Sequence, residues 1–452
     1  MKLKEFEKIE REMQLDRSIV FNVAWWDLWR YSLYSRSRKV EVSRKRNVHL
    51  PVWRFFQGIT RLKCFFVKGQ SVVVLRHPRF KKEGHRYIDI YTDIIGRDLE
   101  ELGYKPLYLE KSTTQSRDLD QGPVYPLDLI AATAFLVSKL MPIFFLKSSS
   151  STFIYEVLHR LGVSDPELIR KIIFRSIVSF KVRVLFYRVI IKLTKPRGLF
   201  LVVSRGNEDI ICAAKKESVV SIELQHGSPT RGKMNYDYSN DIDKTYFPDF
   251  FLSFGQFFTN QLDLPSPCKS VINFGYPYLQ DKYRQLGKSW HKKYDLLVLS
   301  QPDCDTYIVE FLKTLIKRLP KDFSILVQLH PQYFSKVNPY GLLECPNLEV
   351  ADSIESSLYE AFSVSKSAIT VYSTAIYEAK MFGLKAFVLS DERNYLREFL
   401  RLEDVVEINP SDLVDNNVSK IVKGIAKSNN DSLKLFSVYS KEKLKEVLNL
   451  IF

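Results

Sequence analysis

Five apolar runs of the sequence end in residues whose side chains can bind anions or move protons. The residues that follow these runs are Ser204-Arg205-Gly206, Gln225-His226-Gly227, Ser300-Gln301, His330-Pro331 and Ser373-Thr374. Short apolar runs bounded by turn residues are typical of buried strands. In open parallel sheets, ligands bind beyond the carboxyl ends of the strands. The pattern therefore predicts that these residues line ligand sites at strand ends.

One predicted site surrounds the junction of a strand and a helix near residue 373. Ser373 and Thr374 separate the apolar run 367–372 from a helical segment that contains Glu378. The first turn of a helix presents backbone N–H groups and partial positive charge, which favours a phosphate group. Glu378 lies one turn after Thr374 on the same face, where it can accept hydrogen bonds from a ribose or a base. An ordinary N-cap uses the same residue types, so the prediction depends on the neighbouring strands.

His330 stands at the end of a neighbouring strand. It closes the apolar run 325–329 and is followed by Pro331, which turns the chain. An imidazole at this place can donate a hydrogen bond to a phosphate oxygen or protonate a leaving phosphate. The predicted donor site therefore consists of strand-end residues of the C-terminal half, namely Ser300, Gln301, His330, Pro331, Ser373, Thr374 and Glu378.

His226 holds the corresponding position in the N-terminal half, in the stretch ELQHGSP. Across a cleft from a nucleotide site, its imidazole can act as the base that deprotonates an acceptor hydroxyl. Gly227 lets the backbone pass close to a substrate. The cations Arg205, Arg231 and Lys233 are predicted to contact phosphate or an acidic sugar. A turn with surface cations is the alternative interpretation of residues 226–233.

These short motifs carry a resemblance to a known group of enzymes. QHGSP at 225–229, HP at 330–331 and ST at 373–374 resemble the bacterial GT-B glycosyltransferases that build capsule, O-antigen and lipopolysaccharide. The HP and Ser-Ser/Thr pair is similar to the donor motifs of sialyl-, polysialyl- and Kdo-transferases, which use CMP-sugars. HGSP is similar to the HG(T/S)P motif of teichoic-acid polymerases, which use CDP-alditols and in which that histidine is taken as the base.

The resemblance implies an inverting, metal-independent transfer from a nucleotide-sugar. His330 and the helix end at Ser373 stabilise the departing phosphate, and His226 accepts the proton of the acceptor hydroxyl. Sialyltransferases usually carry an acidic pair followed by glycine where their base sits, and the nearest string here, NED at 207–209, lacks the glycine. The base therefore falls to His226, with Glu223 or Asp89 in reserve.

The elements that position these residues follow an α/β pattern. After about residue 290, apolar strands alternate with helical segments, which indicates a parallel sheet covered on both faces. With the resemblance, this predicts the GT-B fold: two Rossmann-like α/β domains facing each other across a cleft. The predicted divisions are a helical basic region at 1–65, an acceptor domain at 66–275 with a helical insertion at 126–195, a donor domain at 276–430 and a C-terminal helix at 431–452.

The sequence offers little for a metal or a cofactor. Asp-x-Asp strings stand at 303–305, 241–243 and 118–120, and such repetition shows how weak this pattern is. Asp303 and Asp305 are predicted to start a helix. The five cysteines are scattered without zinc spacing, so reduced thiols are expected. No secretory signal opens the chain, and the apolar run 129–146 is broken by Lys139 and Pro142. A cytoplasmic protein is expected, with peripheral membrane association as an option.

The net charge of +15 favours anionic partners. Eight Lys and Arg and no acidic residues lie between Arg170 and Lys195, and five of them form one helical stripe: Arg170, Lys181, Arg188, Lys192 and Lys195. This segment is either a helix lying on an anionic inner-membrane surface or a buried helix with one solvated edge.

The predicted partners are a nucleotide-sugar donor and a glycan or lipid-linked glycan acceptor. The alternatives are a CDP-alditol phosphotransferase of the teichoic-acid type, a non-catalytic protein of polysaccharide assembly and a nucleic-acid-binding protein. The last is disfavoured because the sequence has no RRM, KH, zinc-finger or clear helix-turn-helix signature.

Overall fold

The structure is a computed structural model, and its chain divides into two compact units. Unit 1 comprises Met1–Phe254, Phe258–Gly275 and Tyr439–Phe452, and unit 2 comprises Gly255–Phe257 and Tyr276–Val438. The residues that the structure describes are 3–37, 52–66, 71–78, 80–83, 86–111, 123–140, 148–227, 236, 244–265, 268–286, 292–330, 338–343, 345–351, 357–390, 405–426 and 435–452.

Unit 1 is built on a seven-stranded parallel sheet in the order β5-β4-β1-β6-β7-β8-β9. Its strands are β1 (Ser71–Leu75), β4 (Lys105–Glu110), β5 (Val124–Pro126), β6 (Gly198–Val202), β7 (Val220–Leu224), β8 (Phe250–Ser253) and β9 (Ser270–Asn273). An antiparallel pair, β2 (Phe80–Glu83) and β3 (Arg86–Asp89), follows β1. The strand order reverses between β1 and β6, which makes their carboxyl ends the topological switch point.

Helices cover both faces of this sheet. They are α1 (Leu3–Glu12), α2 (Trp25–Ser37), α3 (Val52–Thr60), α4 (Asp93–Glu101), α5 (Asp128–Leu140), α6 (Ser149–Arg160), α7 (Pro166–Thr194) and α8 (Glu208–Lys216). A short helix, α9 (Gln256–Thr259), follows β8. The long helix α7 begins where sequence rules place a start: the side chain of Asp165 accepts a hydrogen bond from the Leu168 N–H, and Pro166 takes the first helical position.

Side chains of β6 show how one strand serves two cores. Leu199 and Leu201 join the core formed with α2, α7 and α8, whereas Phe200 and Val202 join the core on the opposite face. This alternation is the two-residue period of a strand buried on both sides. The second core is completed by the C-terminal helix of the chain, described below.

Unit 2 repeats the parallel arrangement with six strands, in the order β12-β11-β10-β13-β14-β15. The strands are β10 (Leu296–Leu299), β11 (Ile325–Gln328), β12 (Leu348–Ala351), β13 (Ser367–Thr370), β14 (Lys385–Leu389) and β15 (Val406–Ile408). The helices are α10 (Pro277–Leu286), α11 (Asp305–Ile316), α12 (Leu358–Val364), α13 (Ala375–Met381) and α14 (Val414–Ala426). The strand order reverses between β10 and β13, so unit 2 has a switch point of its own.

The last helix, α15 (Lys441–Ile451), belongs to unit 1. Leu444, Val447 and Leu448 are buried in the core on the α4 side of the sheet. The phenol of Tyr439 donates a hydrogen bond of 2.5 Å to Asp98 of α4. The chain therefore leaves unit 1, forms unit 2 and returns to complete the unit-1 core.

The predicted fold class, two Rossmann-like α/β domains, is confirmed by the two parallel sheets. One strand is shorter than predicted: the run that was expected to reach Tyr372 ends at Thr370. The N–H groups of Val371 and Tyr372 donate to the side chain of Gln301 instead of the sheet, which stops the ladder. Within the described residues, no helix is long and apolar enough to cross a membrane.

Candidate functional site

The carboxyl edge of the unit-1 sheet brings two histidines together. His226 is the second residue after β7, and His77 is the second residue after β1. Their imidazole rings stack with centroids 4.8 Å apart and planes inclined by 30°. The ring of Tyr91, between β3 and α4, lies 5.3 Å from each of them. The predicted base thus stands in an aromatic cluster that we call the His77–Tyr91–His226 cluster.

A buried carboxylate holds two members of this cluster. Asp89 accepts hydrogen bonds from the backbone N–H of His77 (2.7 Å) and of Tyr91 (3.0 Å) and from the hydroxyl of Thr92 (2.6 Å). Burial, with a smaller contribution from the nearby Asp93, raises the pKa of Asp89 to about 6. Asp89, a reserve candidate for the base, is 1% exposed and holds the backbone of His77 and Tyr91 through these bonds.

The other reserve candidate, Glu223, is also buried. It lies inside β7 with 0% exposure and accepts a 2.9 Å hydrogen bond from the phenol of Tyr236. Burial raises the pKa of Glu223 to about 7, against the opposing effect of the Tyr236 hydrogen bond. Tyr236 in turn lies beside the backbone N–H of His226. Glu223 therefore supports the backbone at His226 through Tyr236.

Gln225 shapes the loop that carries His226. Its side-chain oxygen accepts from the Phe254 N–H (2.7 Å) and the Ser253 hydroxyl (3.1 Å) at the end of β8. Its side-chain nitrogen donates to the carbonyl of Gly227 (2.8 Å), which adopts a positive φ of 66°. One amide thus ties the carboxyl ends of β7 and β8 together and sets the turn after His226. This role of Gln225 was not predicted from the sequence.

The turn after β6 holds Arg205 close to the switch point. Val203 takes a φ of 63°, which is strained for a β-branched residue. The guanidinium of Arg205 lies 3.9 Å from the ring centre of Tyr31 on α2. Lys111, after β4, donates 2.7 Å to the carbonyl of Gly206. Arg205 is therefore fixed on an aromatic ring at this edge, whereas Arg231 and Lys233 lie outside the described residues.

In unit 2, Gln301 bridges the two strands at the switch point. Its side-chain oxygen accepts from the Thr370 hydroxyl (2.8 Å) and from the N–H groups of Val371 and Tyr372 (3.0 Å each). Gln301 follows β10, Thr370 ends β13, and Val371 and Tyr372 come directly after β13. Gln301 is 5% exposed, so its side chain positions the turn before Ser373. This is the same device as Gln225 in unit 1.

Ser300 and Asp305 secure the loop between β10 and α11. The Ser300 hydroxyl donates to Asp305 (3.0 Å), and the Gln301 N–H donates to the other oxygen of the same carboxylate (2.7 Å). The phenol of Tyr340 also donates to Asp305. Asp305 is 2% exposed and opens α11 as predicted, whereas Asp303, predicted to start the helix with it, lies in the turn before α11. Within the described residues, no group of three His, Cys, Asp or Glu residues is arranged to hold a metal ion.

Ser373 and Thr374 form the loop between β13 and α13. The Ser373 N–H donates to the Thr370 hydroxyl (3.0 Å), and the Ser373 hydroxyl accepts from the Ala375 N–H (3.4 Å). The Thr374 side chain makes no capping hydrogen bond at the start of α13. Glu378, one turn into α13, accepts a 2.6 Å hydrogen bond from the phenol of Tyr359. The loop is thus connected to Gln301 through Thr370, whose hydroxyl donates to the Gln301 side chain.

His330 lies on the loop after β11, next to the β10 loop. The Ser300 N–H donates 3.1 Å to the carbonyl of Gln328, so the two chains leave the sheet side by side. His330 is the second residue beyond Gln328 and is half-buried. The predicted donor residues Ser300, Gln301, His330, Ser373 and Thr374 therefore share one edge of the unit-2 sheet. Pro331 lies outside the described residues.

Comparison with known proteins gives structural similarities only. No protein-family model and no curated protein sequence matches the chain. Among solved structures, it is similar to UDP-GlcNAc 2-epimerase from Methanocaldococcus jannaschii, with 10% identity, a TM-score of 0.49 and coverage of 84% of this chain and 99% of that one. It is also similar to Acinetobacter baumannii MurG, with 12% identity, a TM-score of 0.45 and coverage of 85% and 99%.

A third similar structure is the wall teichoic acid polymerase TagF. The identity is 13%, the TM-score is 0.44, and the match covers 100% of this chain and 98% of that one. Since all three TM-scores lie below 0.5, these structures carry no information on the activity of this chain. That activity has to be inferred from its own residues.

Proposed function

We propose that this chain is a glycosyltransferase that moves a sugar from a nucleotide-activated donor to a growing bacterial surface polysaccharide. The observation that carries the proposal is the same in both units. In each sheet, residues able to handle a phosphate or a hydroxyl proton follow the strands at or beside the topological switch point, where α/β sheets bind ligands. A glutamine clamp, Gln225 or Gln301, holds each edge in shape.

Unit 2 is proposed to bind the nucleotide part of the donor. His330, Ser373 and Thr374 offer hydrogen-bond donors to the phosphates at the β10–β13 edge. Glu378 is proposed to contact the ribose or the base, with Tyr359 orienting its carboxylate. Ser300 and Gln301 hold the edge from within the sheet. This arrangement suits a nucleoside phosphate bound without a divalent cation.

Unit 1 is proposed to bind the acceptor and to supply the base. The proton of the acceptor hydroxyl moves to the imidazole of His226 while its oxygen forms a bond to the anomeric carbon of the donor sugar. The bond from that carbon to the nucleotide phosphate breaks, and the phosphate keeps the electron pair. His330 stabilises this developing charge. Arg205, with Arg231 and Lys233, is proposed to bind an acidic group of the substrate.

The first test is thermal stabilisation by CMP, CDP, UDP and GDP, with and without EDTA. A ligand that binds only the folded protein raises its stability. We expect one cytidine nucleotide to stabilise the wild type irrespective of EDTA and to lose this effect in His330→Ala. The matched control is His159→Ala, since His159 is an exposed histidine on α6. Stabilisation only by UDP or GDP would change the donor, and no response to any nucleotide would overturn the proposal.

A transfer assay then separates the alternative activities. A glycosidic product from a CMP-sugar supports the glycosyltransferase, whereas a phosphodiester product from a CDP-alditol supports a phosphotransferase of the teichoic-acid type. Unchanged cellular glycan output in His226→Ala would favour a non-catalytic assembly protein. Salt-sensitive binding to nucleic acid without a nucleotide-sugar response would favour a nucleic-acid-binding protein.

A membrane-associated site of action, on the cytoplasmic face of the inner membrane, is part of the proposal. Of the predicted basic stripe on α7, Arg170 pairs with Glu167 at 2.6 Å, Arg188 pairs with Glu217 at 2.6 Å, and Lys192 lies 3.8 Å from the same Glu217. Lys181, Lys192 and Lys195 are exposed, together with the apolar Leu185, Val189 and Leu193. Exposed leucine and valine beside lysines on one helix suit the surface of an anionic bilayer.

A further inference from the structure

The proposed reaction gives His77 no role, although its ring contacts the ring of the proposed base. The two imidazoles come from different strands of the sheet, β1 and β7, which lie on either side of β6. Their centroids are 4.8 Å apart, and both rings touch Tyr91. Both histidines are half-buried. A contact between side chains 149 positions apart in sequence is a product of the fold.

Two imidazoles at this separation cannot take up protons independently. When one carries a positive charge, the other is a weaker proton acceptor because the like charges repel. Asp89 is tied to the backbone on the His77 side of the pair. Its carboxylate accepts a hydrogen bond of 2.7 Å from the backbone N–H of His77. A carboxylate beside an imidazole favours the charged form.

Further titratable and charged groups among the described residues lie on both sides of the pair. On the His226 side, Glu223 is neutralised readily, because burial raises its pKa to about 7, and it contacts Tyr236. Tyr91 and Tyr236 are neutral phenols near pH 7. On the His77 side, Arg76 is paired with Asp93 at 2.7 Å. The first proton is therefore expected on His77.

We propose that His77 is a positioning residue for His226: its ring fixes the plane of the His226 ring, and its positive charge keeps His226 neutral and able to accept the acceptor proton. The inference rests on the proposed function, in which His226 is the base. In the reaction, the hydroxyl proton moves to a ring nitrogen of His226, the hydroxyl oxygen bonds to the anomeric carbon, and the nucleotide leaves with the electron pair. His77 gains and loses no bond in this step.

The test compares His77→Phe with His77→Ala. Phenylalanine retains a ring for stacking and removes the charge, whereas alanine removes both. We expect His77→Phe to keep most of the transfer activity at pH 8 and its acid limb to move about 0.5 to 1 pH unit higher, the size expected for two unit charges about 5 Å apart in a water-like dielectric. His77→Ala is expected to lower kcat at every pH. His159→Ala, the exposed histidine variant, controls for the loss of an imidazole elsewhere.

A second measurement keeps the proposal independent of activity. The ring proton signal of His226, identified by its loss in His226→Asn, is followed by NMR during a pH titration. In His77→Phe it should titrate 0.5 to 1 unit higher than in the wild type, about the same shift as in the acid limb. An unchanged titration and an unchanged acid limb would overturn the inference while leaving the proposed function standing. A shifted titration in a protein that neither binds nucleotides nor transfers sugar would support the coupling and overturn the function.

Discussion

A single buried amide sets the geometry of each candidate site. The Gln301 side chain receives three hydrogen bonds at the end of β13, and Thr370, whose hydroxyl donates one of them, is 1% exposed. Buried donors that lose their acceptor cost more than the net value of the bond they lose. Gln301 and Gln225 should thus be more sensitive to substitution than the residues proposed to touch substrate.

Gln301→Ala is expected to lower the free energy of unfolding by about 2 to 4 kcal/mol, since buried donors at the end of β13 lose their acceptor. It should also abolish the stabilisation by nucleotide, because the turn before Ser373 is no longer held. Urea denaturation and thermal shift measure the two effects. Gln285→Ala, an exposed glutamine of α10, is the control and should change neither. If Gln301→Ala kept both the stability and the nucleotide binding of the wild type, the Gln301 clamp would be dispensable.

Glu223 gives unit 1 a pH dependence of known sign. Its folded pKa is raised from 4.5 to about 7, mainly by burial. The stability that it contributes is therefore present below pH 4.5 and is lost as the pH rises through 7, by about 3 kcal/mol. Glu223→Gln keeps an acceptor for Tyr236 and cannot ionise. Its stability relative to the wild type should increase between pH 5 and pH 8.

Urea denaturation at the two pH values checks this expectation. Glu156→Gln on the exposed face of α6 is the control, because its carboxylate is not buried. If the stability difference between Glu223→Gln and the wild type were equal at pH 5 and pH 8, the pKa of the buried Glu223 carboxyl would not be raised.

At the residue scale, the sequence predicted which residues stand at strand ends better than which side chains contact each other. His226, His330 and Ser373 could be placed at strand ends, because apolar runs and turn residues are local signals. The His77–His226 stack and the two glutamine clamps could not, because they join strands far apart in sequence. One signal was present: Gln225 and Gln301 each stand just after a buried run and before a glycine or proline. A polar amide at the same place in both halves indicates a repeated structural role.

At the scale of elements, α7 has to satisfy two environments. Its inner side packs Ile173, Phe174 and Ile177 into the unit-1 core, whereas Leu185, Val189 and Leu193 are exposed at intervals of four residues. The interval was visible in the sequence, and the sequence left open which side faces solvent. Arg188 also forms an ion pair with Glu217, the residue that follows α8. The periodicity of α7 alone cannot show this contact.

The triple variant Leu185→Ser, Val189→Ser, Leu193→Ser is expected to bind vesicles containing phosphatidylglycerol at least about tenfold more weakly, since three apolar side chains no longer enter the interface. Binding of the wild type should be weaker on pure phosphatidylcholine and at high salt. Vesicle flotation measures both. Leu413→Ser, another exposed leucine, is the control. Equal flotation of the triple variant and the wild type would place the membrane contact elsewhere or remove it.

At the scale of the whole molecule, the chain path couples the end of the sequence to its first unit. Unit 2 lies in sequence between two parts of unit 1, and α15 returns to fill the unit-1 core. The sequence predicted two α/β halves from their alternating pattern. The destination of the last helix could not be predicted, because an amphipathic helix fits any apolar surface.

Leu448→Ala is expected to lower the stability of unit 1 and to leave that of unit 2 unchanged. Leu448 is 1% exposed in the unit-1 core, so its truncation should cost about 2 to 4 kcal/mol and lower the unfolding temperature of unit 1 by several degrees. Leu450→Ala is the matched control on the same helix, because Leu450 is 68% exposed. Each unit has its own core, so the nucleotide-dependent stabilisation proposed for unit 2 should survive in Leu448→Ala. Calorimetry with and without the bound nucleotide tests both statements. A single transition that shifts as a whole, with the nucleotide effect lost, would instead mean that the two cores unfold as one cooperative unit.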